Sequence, residues 1–491
     1  MAAPAPMVAP MVVAPPGGAR FPQAEANPWQ VTEEHPVSTF SLDVDTASYA
    51  FVRRQLREGR KPPQDAVRVE EMVNYFPYDY PKPARADTPF RPTVTVMPSP
   101  WTVGNQLVHI GIKGYDIQRE SRPRANLTFL IDVSGSMAPS DRLPLIQQSL
   151  HQLGDGLRPD DTVAIVTYAG RAGVALEPTK GAEVGKIMAA VDHLSAGGST
   201  AGAEGIRTAY ELAERMFDRE AVNRVVLATD GDFNVGVVDP KQLERMIAEK
   251  RKSGIYLTIL GVGQDNLNDA LMQRLAQAGN GQAAYLDSLL EARKVWVEEL
   301  GSTMFPIADD VKIQVEFNPA KVAGYRLVGY ETRMLKRQDF NDDKVDAGEI
   351  GSGHTVTAIY EVVPAEGGKR LVEPLRYKPR AKPVAARAGE GSDELAFLRI
   401  RYKKPGQADS NLIEQPIPAT VALPAVERAP ADVRFSVAVA GFAQHLRGDT
   451  AVADWPLDKV ADMAEAARGT DPFGWRSEFV QLVRAAKGLT R

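Results

Sequence analysis

The stretch Asn126–Met137, NLTFLIDVSGSM, runs an apolar segment directly into a carboxylate, then places two hydroxyls two residues apart around a glycine. Leu127–Ile131 has the character of a strand buried on both faces, as in parallel sheets covered by helices. A carboxylate at the end of such a strand stands at the carboxyl rim of the sheet, where open α/β folds bind ligands. Three further apolar runs follow: VAIVTY (163–168), VVLAT (225–229) and YLTILGV (256–262). Amphipathic segments separate them; Leu143, Ile146, Leu150, Leu153 and Leu157 fall on one helical stripe. This alternation predicts an α/β unit over 120–305 with a doubly wound, mostly parallel, Rossmann-like sheet. In the common strand order 3-2-1-4-5-6 the first strand neighbours the fourth, RVVLATDGD, which ends on Asp230. Asp132 and Asp230, distant in sequence, are therefore expected to meet at the point where the winding reverses.

Two carboxylates and several hydroxyls facing one cleft are hard oxygen ligands suited to Mg2+ or Mn2+. Ser134 and Ser136 follow Asp132 at i+2 and i+4, and Gly135 is expected to let the loop turn tightly enough to aim both hydroxyls inward. A third hydroxyl is available from the glycine-rich GGSTAG (197–202), as Ser199 or Thr200. Read alone, DVSGSM is also compatible with a serine-capped helix start.

Around the α/β unit the hydrophobic period becomes two. VHIGIK (108–113) precedes it; VKIQVEF (Val311, Ile313, Val315 and Phe317 on one face), TVTAIYEV and LAFLRIRY follow. Neither set is large enough for a comfortable domain. The expectation is one antiparallel β-sandwich over 306–425, completed by strands from 41–119 and carrying the α/β unit as an insertion. Residues 41–119 also hold two helices, DTASYAFVRRQLREG, with Asp45 suited to an N-cap and Gly59 to a stop, and AVRVEEMVNYF. Residues 426–491 read as helices. Residues 1–40 are Ala/Pro-rich at their start and read as a disordered linker, with no basic start and no proline-free apolar stretch of an intact signal peptide.

The 491 residues contain 58 Lys+Arg against 63 Asp+Glu, which argues against a nucleic-acid binder needing a basic stripe. With no cysteine, thiolate metal sites, disulfides and cysteine nucleophiles are excluded. No apolar run reaches the roughly 18 residues of a membrane span.

The ligand pattern resembles the metal-ion-dependent adhesion site of von Willebrand factor A domains, D-x-S-x-S followed by a Thr and then an Asp. It falls here on Asp132, Ser134, Ser136, Thr200 and Asp230. The resemblance selects Thr200 over Ser199, and implies that the hydroxyls bind the metal while the aspartates act directly or through water. It further implies that a partner's carboxylate fills the open position. FSLDVDTASYAFVRRQLREGRKPPQDAVRVEEMVNYFPYDYP, TDGDFNVG and FNDDKVDAGEIGSGHTVTAIYE narrow the resemblance to the bacterial YfbK-like subfamily. That implies a cell-envelope protein. Many relatives resemble lipoproteins, but this chain has no lipobox cysteine, so membrane attachment would need an N-terminal anchor not visible in it. In A domains, metal ligation can be linked to movement of the final helix, here expected over 288–304 with a Ser288/Glu291 capping box and Leu289, Trp296 and Leu300 inward.

Other motifs are read as structural. SLDVDTAS (41–48) mimics a phosphatase nucleophile motif, but HPVSTFSL is a poor strand to precede it. GGSTA lacks the last glycine and the preceding strand of a hydrolase elbow. The acidic 339–349 fails the EF-hand pattern and is read as a solvated turn, or a weak second cation site. Trp101, Trp296, Trp455 and Trp475 are assigned to packing. The expected function is therefore a non-enzymatic, cation-dependent protein-binding module of the cell envelope. The rival is a metal-dependent hydrolase, for which Asp232 is the one nearby candidate base. A third reading, a scaffold, has the site hold an acid from 339–349 of the same chain.

Overall fold

The structure is a computed structural model and describes residues 21, 25–42, 45–85, 87–117, 121–154, 156–198, 202–231, 240–263, 268–299, 305–345, 347–367 and 393–489. Thr200 and Ser199, Asp232 and Leu300 lie outside them.

The amino-terminal part contains β1 (Gln30–Val31), β2 (Val37–Ser41), α1 (Ala47–Arg57), α2 (Val69–Asn74), β3 (Phe90–Pro98) and β4 (Gln106–Gly114). The described part of 1–40, expected as linker, thus carries two strands. HPVSTFSL, judged a poor strand, holds β2, which runs antiparallel to the later segment Lys312–Glu316. Ser and Thr hid it from a hydropathy reading because their hydroxyls are satisfied inside: Tyr360 Oη donates to Ser38 Oγ at 2.9 Å, and Gln314 Nε2 to Thr39 Oγ1 at 3.1 Å. Asp45 is likewise not the N-cap of α1, a place taken by Thr46. Its carboxylate instead accepts the Ala283 N–H and pairs with Arg333 at 2.9 Å, joining three parts of the chain. Gly59 does end α1, in the left-handed region at φ 71°.

The α/β unit comprises β5 (Ala125–Asp132), α3 (Leu143–Gly154), β6 (Thr162–Tyr168), β7 (Ala172–Lys180), α4 (Val184–Asp192), α5 (Gly202–Arg215), β8 (Val222–Thr229), α6 (Pro240–Lys252), β9 (Ile255–Gly261), α7 (Asp269–Ala278), β10 (Ala283–Tyr285) and α8 (Leu289–Arg293). The sheet order is β7-β6-β5-β8-β9-β10, parallel except for the edge strand β7. It is the expected doubly wound order, with β5 at the centre, buried along its whole length and flanked by β6 and β8.

The last helix differs from expectation. Ser288 caps α8 by accepting the Glu291 N–H, but Glu291 Oε2 is taken by Arg53 and Tyr75. After Arg293 the helix widens into a π-helical stretch, Lys294–Glu299. Leu289 is 40 % exposed rather than inward, while Trp296 packs on Phe129. With Glu291 turned to α1, Leu289, two residues earlier, falls on the opposite side of the helix.

The rest of the chain forms β11 (Pro306–Phe317), β12 (Val322–Val328), β13 (Gly348–Gly351), β14 (Thr355–Pro364), β15 (Glu394–Lys403), β16 (Ser410–Pro418), α9 (Ala431–Arg447), α10 (Leu457–Ala466) and α11 (Trp475–Ala486). One sheet runs β1-β12-β14-β4-β3 and a second β13-β11-β15-β16, with β2 on β11. β4, before the α/β unit, pairs with β14 beyond it, from Thr355–Lys113 to Val362–Gln106. The α/β unit is therefore inserted in a sandwich made by both flanks. Between the sheets lie Phe40, Ile110, Ile313, Phe317, Tyr360 and Leu398. Helices α9–α11 cover the outer face of the first sheet with α1 and α2, around Phe76, Phe435, Phe442 and Phe479.

His109 of β4 is buried at this helix–sheet seam, its Nε2 3.3 Å from Tyr80 Oη and 3.0 Å from Ser436 Oγ. Burial pushes its pKa down to about 4. A depressed folded value means that neutral His109 supports the fold above about pH 6.5, and that this support is lost as pH falls toward 4. The expected contribution is roughly 3 kcal/mol. Glu70 and Asp269, both raised by burial, act in the opposite sense over an overlapping range. The measurement is thus a difference: urea unfolding of wild type against His109→Gln should show the wild type losing more stability between pH 6.5 and 4. Parallel pH profiles would refute it.

Candidate metal centre

Asp132 ends β5, and Asp230 lies one residue beyond β8. The parallel register, which sets Ile131 opposite Ala228, brings both to one rim of the sheet. Both side chains are buried. Asp132 Oδ1 accepts the Ser134 N–H at 2.8 Å, which folds the loop back over the strand end. Asp132 Oδ2 is buried with no hydrogen-bond partner among the described residues. Ser134 Oγ and Ser136 Oγ stand 3.0 Å apart on a short 3₁₀ turn anchored by buried Met137.

Gly135 does open a tight 3₁₀ turn, Gly135–Met137, but without a positive φ, so the turn does not use a glycine's left-handed freedom. It donates its N–H to Gly198 O at 3.0 Å, and Gly197 donates to Val133 O at 2.7 Å. The left-handed residue is Gly198, at φ 85°. These two bonds bring the described start of the GGSTAG loop against the Asp132–Ser136 loop. Thr200 itself lies outside the described residues.

Burial raises the Asp132 carboxyl above the usual carboxylate range; the Ser134 N–H and hydroxyl and the nearby Tyr168 hydroxyl oppose the shift, and Asp230 adds to it. A desolvated carboxylate oxygen without a close hydrogen bond, beside a second carboxylate and two converging hydroxyls, is a donor set that a hard divalent cation satisfies. The residues fit such an ion.

One residue here was missed by the sequence reading. Arg142, which precedes α3, donates Nη1 to Asp230 Oδ2 at 2.6 Å and to Ser136 O at 2.7 Å, and is 8 % exposed. It sits in helical register with buried Ile146, Ser149 and Leu153, and a charged residue on a core stripe was the available signal. Gly263, φ 74°, makes room for it: a Cβ there would lie 2.6 Å from Arg142 Nε. Arg54 of α1 reaches the same rim, bonding Asp141 Oδ2 at 2.7 Å and Tyr285 Oη at 2.9 Å, while Tyr285 donates to Gly263 O.

The described acidic residues of 339–349 are engaged away from this rim; Asp346 lies outside the described residues. Asp343 pairs with Arg401 on β15, Lys312 donates to Asp342 O, and Glu349 accepts from Asn280, which precedes β10 at the opposite end of the sheet. This removes the basis for an intramolecular acid ligand from Asp343 or Glu349. Among the described residues there is no group of three His, Asp or Glu placed to hold a metal, so a second cation site at 339–349 finds no support there.

The doubly wound sheet with its D-x-S-x-S rim defines an α/β unit of the von Willebrand factor type A class. Family models agree: "von Willebrand factor type A domain" matches residues 126–295, "von Willebrand factor" residues 16–109, and "Uncharacterized protein YfbK, C-terminal" residues 302–489. "Uncharacterized protein YfbK" of Escherichia coli (strain K12) is 44% identical over 484 residues, covering 97% of this chain and 83% of that one. The chain belongs to the YfbK family. "Uncharacterized protein sll0103" of Synechocystis sp. is 25% identical over 70% of this chain and 76% of its own. Among solved structures, a von Willebrand factor type A protein from Catenulispora acidiphila covers 83% of this chain and 91% of that chain, at 16% identity and a TM-score of 0.45.

Proposed function

We propose that the protein is a divalent-cation-dependent protein-binding module, for adhesion or scaffolding, in the bacterial cell envelope, and not an enzyme. Asp132, Ser134, Ser136, Thr200 and Asp230 would hold Mg2+ or Mn2+, and a carboxylate of a partner protein would complete the coordination. The observation that carries this reading is the buried Asp132 Oδ2, which makes no hydrogen bond of ordinary length among the described residues, with the Tyr168 hydroxyl near the carboxylate, at a rim where a second carboxylate and two hydroxyls converge. The ion supplies a positive centre open to one more anionic oxygen. The chain's own residues fix the donors: the Ser134 N–H orients Asp132, and Arg142 orients Asp230. Placement in the envelope rests on the resemblance of the flanking segments to the YfbK-like subfamily.

The deciding experiment is a crosslinking pull-down from envelope extract with Mg2+ and with chelator. Partners retained only with Mg2+, and lost in Asp132→Ala, support the reading; a metal-independent set overturns it. The full chain with Mg2+ or Mn2+ is also expected to turn over no phosphoester, ester or peptide substrate. Metal-dependent turnover that disappears in Asp132→Ala would replace the binding module by a hydrolase.

A further inference from the structure

Helix α1 lies outside the α/β unit in sequence but packs as one of its helices. Ala47, Ala50 and Phe51 share one apolar cluster with Leu130 of β5, Leu257 of β9, Leu271 of α7 and Tyr285 of β10. Phe51 meets the Tyr285 ring edge-on, with centroids 6.0 Å apart. Asp45, just ahead of the helix, accepts the Ala283 N–H at 2.8 Å, at the start of β10. Arg54, further along the helix, reaches Tyr285 at the end of the same strand. Because β10, β9, β8 and β5 are parallel, this end belongs to the carboxyl rim where Asp132 and Asp230 stand. Each nitrogen of the Arg54 guanidinium makes a bond there or on its own helix: Nε to Glu58 Oε1 at 3.3 Å, Nη1 to Tyr285 Oη at 2.9 Å and Nη2 to Asp141 Oδ2 at 2.7 Å. The pair with Asp141 is partly open to water, the side chains being 17 % and 33 % exposed, so it adds little stability by itself. Its effect is positional. Asp141 immediately precedes Arg142, whose Nη1 holds Asp230 Oδ2 and the Ser136 carbonyl. Tyr285 Oη donates to the Gly263 carbonyl at 2.7 Å, and Gly263 lies against Arg142, where a Cβ would stand 2.6 Å from Nε. One planar guanidinium therefore fixes the two segments between which Arg142 is held.

We infer that Arg54 is a positioning residue of the metal site supplied from outside the α/β unit: docking of α1 on β10 sets the geometry of Asp230 and Ser136, and with it the affinity for the cation. The inference rests on the metal-site reading above. It makes the amino-terminal segment a control on that site, because displacing α1 from β10 lowers metal affinity without touching a ligand.

The test is calorimetric titration of the full chain with Mg2+, for wild type, Arg54→Met, Asp141→Asn, their double variant and Tyr285→Phe. Removing a residue that supports a metal ligand costs roughly 10–100-fold, and Arg54 acts through such a residue, so Arg54→Met should weaken Mg2+ binding about tenfold. Asp141→Asn should weaken it to a similar degree, and the double variant should bind no more weakly than the worse single one, since both changes break one link. A through-space charge effect predicts a different pattern: loss of a cation tightens Mg2+ binding, loss of an anion weakens it, and the double variant returns toward wild type. A merely structural role predicts a lower melting temperature of the metal-free protein with Mg2+ affinity unchanged. Either of these patterns, or fully additive losses, overturns the inference while leaving the metal site standing. Tyr285→Phe alters no charge and keeps the ring on Phe51; it should weaken Mg2+ binding about threefold through loss of the hydroxyl's bonds. Near-ultraviolet circular dichroism establishes which variants are folded. Should Arg54→Met not be, Tyr285→Phe decides: weakened binding supports the inference and unchanged affinity counts against it. Wild-type protein that takes up no Mg2+ overturns the metal-site reading and the inference with it.

Discussion

Replacing Asp132 with alanine is expected to weaken Mg2+ and Mn2+ binding by the full chain at least about 100-fold without unfolding it. Mutating residues that only support metal ligands costs roughly 10–100-fold, so loss of a ligand itself should lie at or beyond that range. The fold should survive because Asp132 contributes no apolar contact to the sheet: Leu130 and Ile131 just before it supply the packing. The hydrogen bond that its carboxylate accepts is local, from the Ser134 N–H. Metal-free, the buried carboxylate costs stability, since burial and Asp230 both disfavour its charge. Asp132→Asn should therefore raise the melting temperature of the metal-free protein. A hundredfold excess of Mg2+ over its Kd should stabilise wild type by about 2.7 kcal/mol and leave Asp132→Asn unmoved. Calorimetric titration and thermal melting with and without Mg2+ decide it. Unchanged affinity in Asp132→Ala would remove Asp132 from the ligand set, and an equal Mg2+ shift in both proteins would place the cation elsewhere.

The rim of the α/β sheet was legible because its signals are local and redundant. β5 is buried throughout and mostly apolar before it ends on Asp132, and the apolar run of β8 likewise leads into Asp230. The winding rule then brings the two together without any contact having to be guessed. The pairing of β4 with β14 was legible for a related reason: period-two segments on both sides of the insertion each had one apolar face lacking a partner. What stayed hidden depends on long-range polar satisfaction. β2 looked weak because its Ser38 and Thr39 are polar, and their partners Tyr360 and Gln314 lie about 300 residues away in sequence. Asp45 suited a helix cap by local rules, yet the Ala283 N–H and Arg333 claim its carboxylate. Arg142 carries no motif, and its part appears only when Asp230 is folded against it. The same holds for the final helix, whose register is set by α1 rather than by its own apolar stripe.

That dependence leads to the largest expected effect on stability. Arg53 of α1 is completely buried and meets three carboxylates from two other parts of the chain: Asp287 and Glu291 at the start of α8, and Glu478 of α11. Its Nη1 also donates to Tyr75 Oη at 2.8 Å, and Tyr75 donates to Glu291 at 2.7 Å. Lys294 lies over the Tyr75 ring at 4.3 Å, and Arg57 pairs with Glu478, so the cluster is close to charge balance. Arg53→Met leaves Asp287 and Glu291 buried without their cation, and breaking such a pair from one side costs about 3–5 kcal/mol. The loss should be partly recovered in Arg53→Met/Glu291→Gln, because the second change removes one stranded charge; additive losses would refute the charge argument. Arg54, the next residue, grips the other end of the same system through Asp141 and Tyr285 at the metal rim. Adjacent arginines on one short helix thus hold the site's edge and the head of α8 together. Coupling between them requires that a bound ligand favour one of two arrangements of this linkage. Amide exchange on wild type with Mg2+ and acetate should then change in 288–299 and in β11, which begins at Pro306, as well as around 132–136. In Arg53→Met the change should be confined to the rim. If wild type itself responds only at 132–136, 197–198 and 230–231, the site is a rigid clamp, and Arg53 serves stability alone.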